Sequence, residues 1–485
     1  MGSPTLVGLD VGTTGVKALA LSPEGEVLAT ATCGYPLSTP RTGWSEQDPE
    51  DWWQAADAAL AEVAAGRDVA GLGLSGQMHG LVALDAADRV IRPAILWNDQ
   101  RTAAECAEIE ERVGFERLVE LTGNRALTGF TAPKLLWLRR HEPDAFARIA
   151  RVLLPKDYVR LRLTGEWAID VSDASGTLLL DVGRRAWSDE VLAALDLPAA
   201  WLPPLLESPQ RAGEVGVSHT LLQATPVAAG AGDQPAAAVG VGAVRPDVLS
   251  IVLGTSGVVL APLPAYAHDP AGRVHAFCHA VPDAWQAMGV MLSAAGSLAW
   301  FHERLAADVP FDELVVEAER WEPGANGLVF LPYLAGERTP HADPDARGAF
   351  AGLELRHDRG ALVRAVLEGV AFGLRDCLDL LRALGVEGTV ARVSGGGARG
   401  GLWLRIVASV LDLPLELTAS EEGSAFGAAL LGGVAGGVFA DVDEAVARCV
   451  RVTHVVEPDP AWRDAYAALL PRYRALYPAL RGLGA

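Results

Sequence analysis

The chain has 485 residues, half of them hydrophobic, and a net charge of −21. That length exceeds what one hydrophobic core fills, so two domains are expected. The acidic balance argues against nucleic acid or an anionic membrane as partner, but not against a nucleotide held in a locally positive loop.

Cys33, Cys106, Cys278, Cys377 and Cys449 are odd in number and scattered, without metal-ligand or redox spacing. They read as reduced thiols of a cytoplasmic protein. The N-terminus lacks a basic segment followed by an apolar run, so no secretory signal is expected. The longest charge-free apolar stretch, Gly423 to Ala440, is rich in Gly and Ala and short for a membrane span; it predicts a close-packed interior helix.

The first element is an apolar strand, Leu6 to Val11, carrying Asp10. It breaks at Gly12-Thr13-Thr14-Gly15 and resumes as Val16 to Leu21. A further turn at Pro23-Glu24-Gly25 returns the chain, so a hairpin is predicted rather than a strand-to-helix turn. Glycines there let backbone N–H groups approach an anion. Thr13 and Thr14 add donors, Lys17 adds charge, and Asp10 is a candidate ligand for a hydrated metal. An ordinary Gly-rich hairpin fits the same residues.

Asp48 is a natural N-cap, with Pro49 next and Asp51 in the first turn. This helix carries Trp52, Trp53 and Leu60 and stops near Gly66, its aromatics serving the core. Gly71, Gly73 and Gly76 match a dinucleotide fingerprint, but a strand follows where a helix is required, so the match is taken as accidental. Gln77-Met78-His79 then puts three functional side chains at a Gly-flanked strand end; a buried, backbone-satisfied histidine is the alternative. Ala94 to Leu96 empties into Trp97-Asn98-Asp99-Gln100-Arg101, a candidate ligand cluster. Asn98 or Asp99 equally suits an N-cap for a helix over 103–113.

Residues 115–220 read as helical and loop-rich, with Asp173 to Thr177 as a polar turn. At Gly230-Ala231-Gly232-Asp233 a strand gives way to a small-residue helix. Asp233 fits equally an N-cap and a general base exposed beside a cleft. Val248 to Leu260 then repeats the opening motif: Gly254-Thr255-Ser256-Gly257 between β-branched strands. The repetition suggests two similar α/β domains facing each other across a cleft, at 1–244 and 245–485.

Further on, a helix start carries Ser293, Gly296 and Trp300. Glu337 and Arg338 are expected to pair in a charged loop. A helix spans 359–384. Gly395-Gly396-Gly397 sits between strand and helix, where backbone approaches a flat or phosphorylated ligand closely. A final amphipathic helix, 460–480, is expected to be broken or kinked near Pro471.

Asp10-Val11-Gly12-Thr13-Thr14, Gly232-Asp233-Gln234, Gly254-Thr255-Ser256 and Ser394-Gly395-Gly396-Gly397-Ala398 resemble the FGGY carbohydrate kinases, in family order and over nearly the whole chain. The resemblance implies a duplicated actin-like, ribonuclease-H-like fold with ATP, Mg2+ and sugar in the cleft. Trp44 to Pro49, Ser75 to Gly80 and Trp97 to Thr102 are similar to the members that phosphorylate D-xylulose. The implied roles are Asp233 as proton acceptor, with Met78, His79, Trp97 and Gln234 at the ketose. Asp10 lies at metal and phosphates, with Thr13, Thr14, Lys17, Gly254 and Thr255 on the phosphate tail. Gly396, Gly397 and Trp300 lie at the nucleoside. Members are often dimers, which makes a homodimer an expectation.

The chain departs from the pattern in three places. Many D-xylulose-acting members have Asn where Gln234 stands, and glycerol-acting ones often have Gln. The Arg-Glu pair of the latter is Met78-His79 here. Gly400 and Gly401 replace commonly polar residues. Ribulose, glycerol, gluconate or a tetritol remain alternative acceptors.

Overall fold

The computed structural model describes residues 4–217, 219–420 and 423–481. Two seven-stranded sheets frame it. The first contains β1 (Thr5–Val11), β2 (Gly15–Leu21), β3 (Val27–Gly34), β4 (Val69–Gly76), β5 (Arg211–Glu214), β6 (Pro226–Ala228) and β7 (Ala231–Gly232). Their order is β5-β6-β4-β1-β2-β3, with β7 also on β4. The second contains β8 (Val248–Leu253), β9 (Gly257–Leu263), β10 (His275–Cys278), β11 (Trp285–Met291), β12 (Val390–Ser394), β13 (Leu415–Thr418) and β14 (Val452–Val456), in the order β10-β11-β9-β8-β12-β13-β14.

Both sheets share one arrangement. An antiparallel hairpin, β1-β2 or β8-β9, lies beside a parallel strand, β4 or β12. The duplication suggested by two Gly-Thr turns is thus a duplication of topology. Central strands buried on both faces explain the near-continuous apolar runs of β1 and β9.

The helices that shape the site are α1 (Pro49–Ala64), α2 (Ala103–Val113), α3 (Thr131–His141), α4 (Pro155–Thr164), α5 (Asp233–Val241), α6 (Ala295–Leu305), α7 (Arg359–Ala383), α8 (Gly401–Leu411), α9 (Gly423–Ala435) and α10 (Pro460–Leu480). In α1 the Asp48 carboxylate accepts from the Glu50 amide at 3.0 Å, as expected of a cap. Its Trp52, Ala56, Leu60 and Val63 enter the core against β1 and β2. The other face of the first sheet is covered by α9, from the opposite half of the chain.

That contact is made backbone to backbone. A Cβ at Gly73 would lie 1.8 Å from the Ala428 carbonyl oxygen, one at Gly71 2.0 Å from that of Gly432, and one at Gly8 2.0 Å from that of Ala425. Helix α5 meets α9 in the same way, Gly427 against the Ala236 carbonyl. Gly71 and Gly73 therefore serve helix–sheet packing, which explains a dinucleotide-like pattern without its context. The Gly/Ala-rich stretch is the interior helix it was expected to be. No helix among the described residues is long and apolar enough to cross a membrane.

Two expectations are corrected. Thr102, not Asn98 or Asp99, occupies the N-cap of α2. Helix α10 runs unbroken through Pro471 and Pro478.

Candidate active site

The strand ends of the first sheet converge on two carboxylates. Asp10 pairs in register with Lys17 on β2 and Ser75 on β4, and Gly232 pairs with Gly76. Asp233 therefore leaves β7 next to the ends of β1 and β4. The N-cap of α5 is Gly232, and Asp233 is its first helical residue. This rules out the N-cap reading of Asp233 and leaves its carboxylate free of capping. Burial, then the nearby Asp10 charge, pushes its pKa up to about 7, while hydrogen bonds from Gln234 pull it back. A carboxylate tuned there suits proton abstraction near neutral pH.

Asp10 is itself raised, chiefly by burial and despite a hydrogen bond from Ser424 and the Lys17 charge. Its Oδ1 is buried without a hydrogen-bond partner among the described residues. No cluster of three or more metal-ligating side chains exists among those residues. The protein thus offers one carboxylate oxygen to a cation. That fits Mg2+, which takes few protein ligands and completes its shell with phosphate oxygens and water.

His79 sits beside these acids with φ of +69°, uncommon for a non-glycine residue. Two donors hold its carbonyl, Thr131 Oγ1 at 3.0 Å and Lys134 Nζ at 2.8 Å, both from α3. Its Nδ1 lies 2.7 Å from the Gly176 carbonyl oxygen. A carbonyl only accepts, so Nδ1 carries the proton and Nε2 presents a lone pair. Burial first, then Lys134 and Arg338, lowers the imidazole pKa to about 3, opposed by the Gly176 bond. The ring is a neutral acceptor, packed on Phe130 at 4.6 Å. Met78 lies buried beneath Gly232, where a Cβ would strike its Cγ at 2.8 Å. Trp97 is 42% exposed and donates through Nε1 to Thr13 Oγ1 at 3.0 Å.

The two Gly-Thr turns close the hairpins as predicted, with Val11 paired to Val16 and Leu253 to Gly257. The Thr13, Thr14, Thr255 and Ser256 amides have no protein hydrogen-bond partner among the described residues. Carbonyls of the second turn are engaged: Thr255 O accepts from Ala294 N at 2.8 Å and Gly254 O from Ala295 N at 2.8 Å, at the start of α6. Donors that face outward from an anchored turn suit phosphate. Beyond them, Gly396 and Gly397 line a cavity of about 440 Å³ with Leu298, Phe311, Leu367 and Trp403. Asp312 and Arg399 add charge to this mainly apolar slot, which is of a size for a flat base.

Residues 5–240 match the model for the N-terminal domain of the FGGY family of carbohydrate kinases, and residues 249–436 match that for its C-terminal domain. The chain belongs to the FGGY family of carbohydrate kinases. This FGGY kinase is 45% identical to a xylulose kinase of Escherichia coli (strain K12), over 98% of its own length and 99% of that protein's. It is 39% identical to a xylulose kinase of Bacillus subtilis (strain 168), over 97% and 96%. The crystal structure of a xyloylose kinase from Brucella ovis superposes with a TM-score of 0.92 at 44% identity, covering 99% of this chain and 100% of that one. It is an ATP-using carbohydrate kinase with the family's two-domain actin-like fold.

Within this FGGY kinase, several residues stand elsewhere than the sequence suggested. Trp300 does not line the slot beside Gly396; half-buried, it packs against the core with its ring stacked on Phe330, centroids 6.4 Å apart. Asp99 is buried and structural, accepting from the Ser45 amide and pairing with Arg101 at 2.7 Å, so only part of the 97–101 cluster faces the cleft. Glu337 and Arg338 do not pair through their side chains. Glu337 Oε1 instead accepts from two backbone amides, Leu292 at 2.9 Å and Arg338 at 2.7 Å.

Other contacts around the site join residues far apart in sequence. Gln47 Nε2 donates to Thr13 O at 2.7 Å and Gln77 Nε2 to Gly12 O at 3.2 Å, so paired glutamines brace the first turn from beneath. Lys156 is fully buried among Asp157, Asp170 and Asp173, at 2.8, 2.7 and 3.0 Å. Burial alone would lower its pKa, but the three carboxylates raise it. Burial raises Asp173 well above its ordinary value, opposed by the Lys156 charge. This cluster lies under the site, its lysine against Gly76, and Ser172 beside it accepts from the Gly232 amide at 3.4 Å.

Proposed function

We propose that this kinase transfers the γ-phosphoryl group of ATP to the 5-hydroxyl of D-xylulose, giving D-xylulose 5-phosphate. The observation that carries the mechanism is Asp233, a carboxylate left uncapped at the start of α5 with its pKa near 7. It takes the proton of the attacking hydroxyl as the oxygen–phosphorus bond forms. A positioned base of this kind contributes roughly 10²–10⁴-fold. His79 Nε2 accepts from a sugar hydroxyl; Met78, Trp97 and Gln234 shape the pocket around the ketose. Thr13, Thr14 and Lys17 from one half, and Gly254 and Thr255 from the other, grip the phosphates. Gly396 and Gly397 lie along the nucleoside. Asp10 would hold Mg2+, which when bound offsets charge on the phosphates. Phosphoryl transfer requires mainly alignment and charge neutralisation, which two facing turns supply when the halves, 1–244 and 245–485, close. Closure also excludes water as a competing acceptor.

The substrate reading rests on likeness to xylulose kinases over nearly the full chain and on Met78-His79. A second acceptor, another ketose or a polyol, is favoured by Gln234 alone. Sugar-dependent ADP release across D-xylulose, L-xylulose, D-ribulose, glycerol and gluconate tests both readings. D-xylulose leads if the reading holds, and Asp233→Ala abolishes turnover. Leading turnover of glycerol or ribulose overturns the substrate while leaving the base intact.

A further inference from the structure

The turn before Pro340 carries an arginine without a partner. Arg338 is half-buried, and its guanidinium forms no ion pair or hydrogen bond with any described residue. A five-donor cation left without acceptors in a partly desolvated place is unfavourable unless an anion joins it during the working cycle.

The backbone on both sides of Arg338 is fixed. The Glu337 carboxylate accepts from Leu292 N and from Arg338 N. Thr339 N donates to Val290 O at 2.9 Å, and Thr339 Oγ1 accepts from Val290 N at 3.1 Å and donates to Arg273 O at 2.8 Å. These bonds tie Arg338 to the end of β11. The residues that follow, Ala294 and Ala295, hold the carbonyls of Thr255 and Gly254 in the second phosphate turn. On the other side, Arg273 leads into His275, whose ring stacks on Phe277 at 5.7 Å and faces Phe130 at 6.0 Å. Both phenylalanines pack on His79.

We infer that Arg338 binds the phosphoryl group in transit, and then the phosphate of the sugar-phosphate product, from a position between the second phosphate turn and His79. This rests on the kinase reading above but not on the identity of the sugar. Two electrostatic features agree. The Arg338 charge reaches both His79 and His275, contributing to their lowered pKa values. Its neighbour Glu337 is pushed up to about 8 by burial and so does not cancel that charge near neutral pH. A neutral sugar can meet only its N–H donors, whereas a phosphoryl group matches both its charge and its fork geometry.

The test uses full-length Arg338→Met and Arg338→Lys. Calorimetry measures D-xylulose and D-xylulose 5-phosphate binding, and turnover is measured with and without sugar. For Arg338→Met the sugar Kd stays within about threefold, the sugar-phosphate Kd weakens at least about 20-fold, and kcat falls about 10²–10³-fold, within what an arginine at this charge supplies. Arg338→Lys recovers part of both losses, and melting curves check that each variant folds. Equal weakening of sugar and sugar phosphate overturns the inference in favour of a sugar contact. Unchanged kcat and product affinity also overturn it. Slow ATP hydrolysis without sugar falls by a similar factor in Arg338→Met. That arm decides the role of Arg338 even if the wild type proves inactive on D-xylulose, an outcome that would sink the substrate alone.

Discussion

Ser424 Oγ donates to Asp10 Oδ2 at 3.0 Å, joining the first turn of α9 to the end of β1 across 414 positions of sequence. The bond occupies Asp10 Oδ2 and leaves Oδ1 without a hydrogen-bond partner among the described residues. Removing it in Ser424→Ala loses a charge-assisted hydrogen bond of about 1.5–3 kcal/mol. The expected outcome is a 10- to 100-fold fall in kcat/KM for ATP, with sugar affinity unchanged. Steady-state kinetics against equilibrium sugar binding checks it; parallel losses in both would show a general collapse instead.

Asp233 links activity to pH in two ways. With a pKa near 7, it gives kcat/KM an ascending limb centred there. Its ordinary value is 3.8, so folding takes up a proton between pH 4 and 7. Stability therefore falls as pH rises through that window. Asp233→Asn removes this penalty. The variant is expected to be inactive yet to melt higher than wild type at pH 8, with the gap closing toward pH 4. A variant that melts lower at pH 8 contradicts the assignment.

His79 behaves oppositely. A pKa near 3 keeps it neutral throughout the working range, so the sugar KM should stay flat between pH 5.5 and 8. His79→Ala leaves sugar hydroxyls unmatched and should raise that KM about 10- to 100-fold with the ATP KM unchanged. Initial-rate measurements with each substrate varied in turn decide this.

Gly73 tests the backbone packing of α9. Alanine there places Cβ 1.8 Å from a carbonyl oxygen that has no side-chain freedom to yield. Gly73→Ala should cost about 3 kcal/mol or more, as overpacked cores do. Gly401→Ala, whose Cβ would meet nothing within 4 Å, is the matched control. Thermal or denaturant melting compares the pair; equal stability of the two variants would mean α9 shifts freely.

Both Gly-Thr hairpins were legible because their turn chemistry is local; Met78 and His79 stood out because Gly76 and Gly80 flank them just past the end of β4. Asp233 was ambiguous because cap and first helical residue differ by one position, a distinction only the path of β7 resolves. Asp99 looked like a ligand because its partner Ser45 lies 54 residues away. Glu337 and Arg338 looked like a pair because they are adjacent, but Glu337 turns to the amide of Leu292, 45 residues back. Lys134, Gln47 and the Lys156 cluster act through carbonyls and carboxylates brought near by other elements, and no spacing rule encodes that.

The glycine-lined seat of α9 also bears on how the chain is made. Strands β1 to β7 are complete by Gly232, yet the helix that covers their open face begins only at Gly423. At roughly 5–20 residues per second, a ribosome takes on the order of ten to forty seconds to cover that interval. During that time the sheet face that α9 later covers, smoothed by glycine, stands open on the nascent chain. Newly synthesised protein is thus most exposed to wrong association before Gly423–Ala435 emerges. Truncation upstream of α9 would leave the N-terminal half in that state permanently.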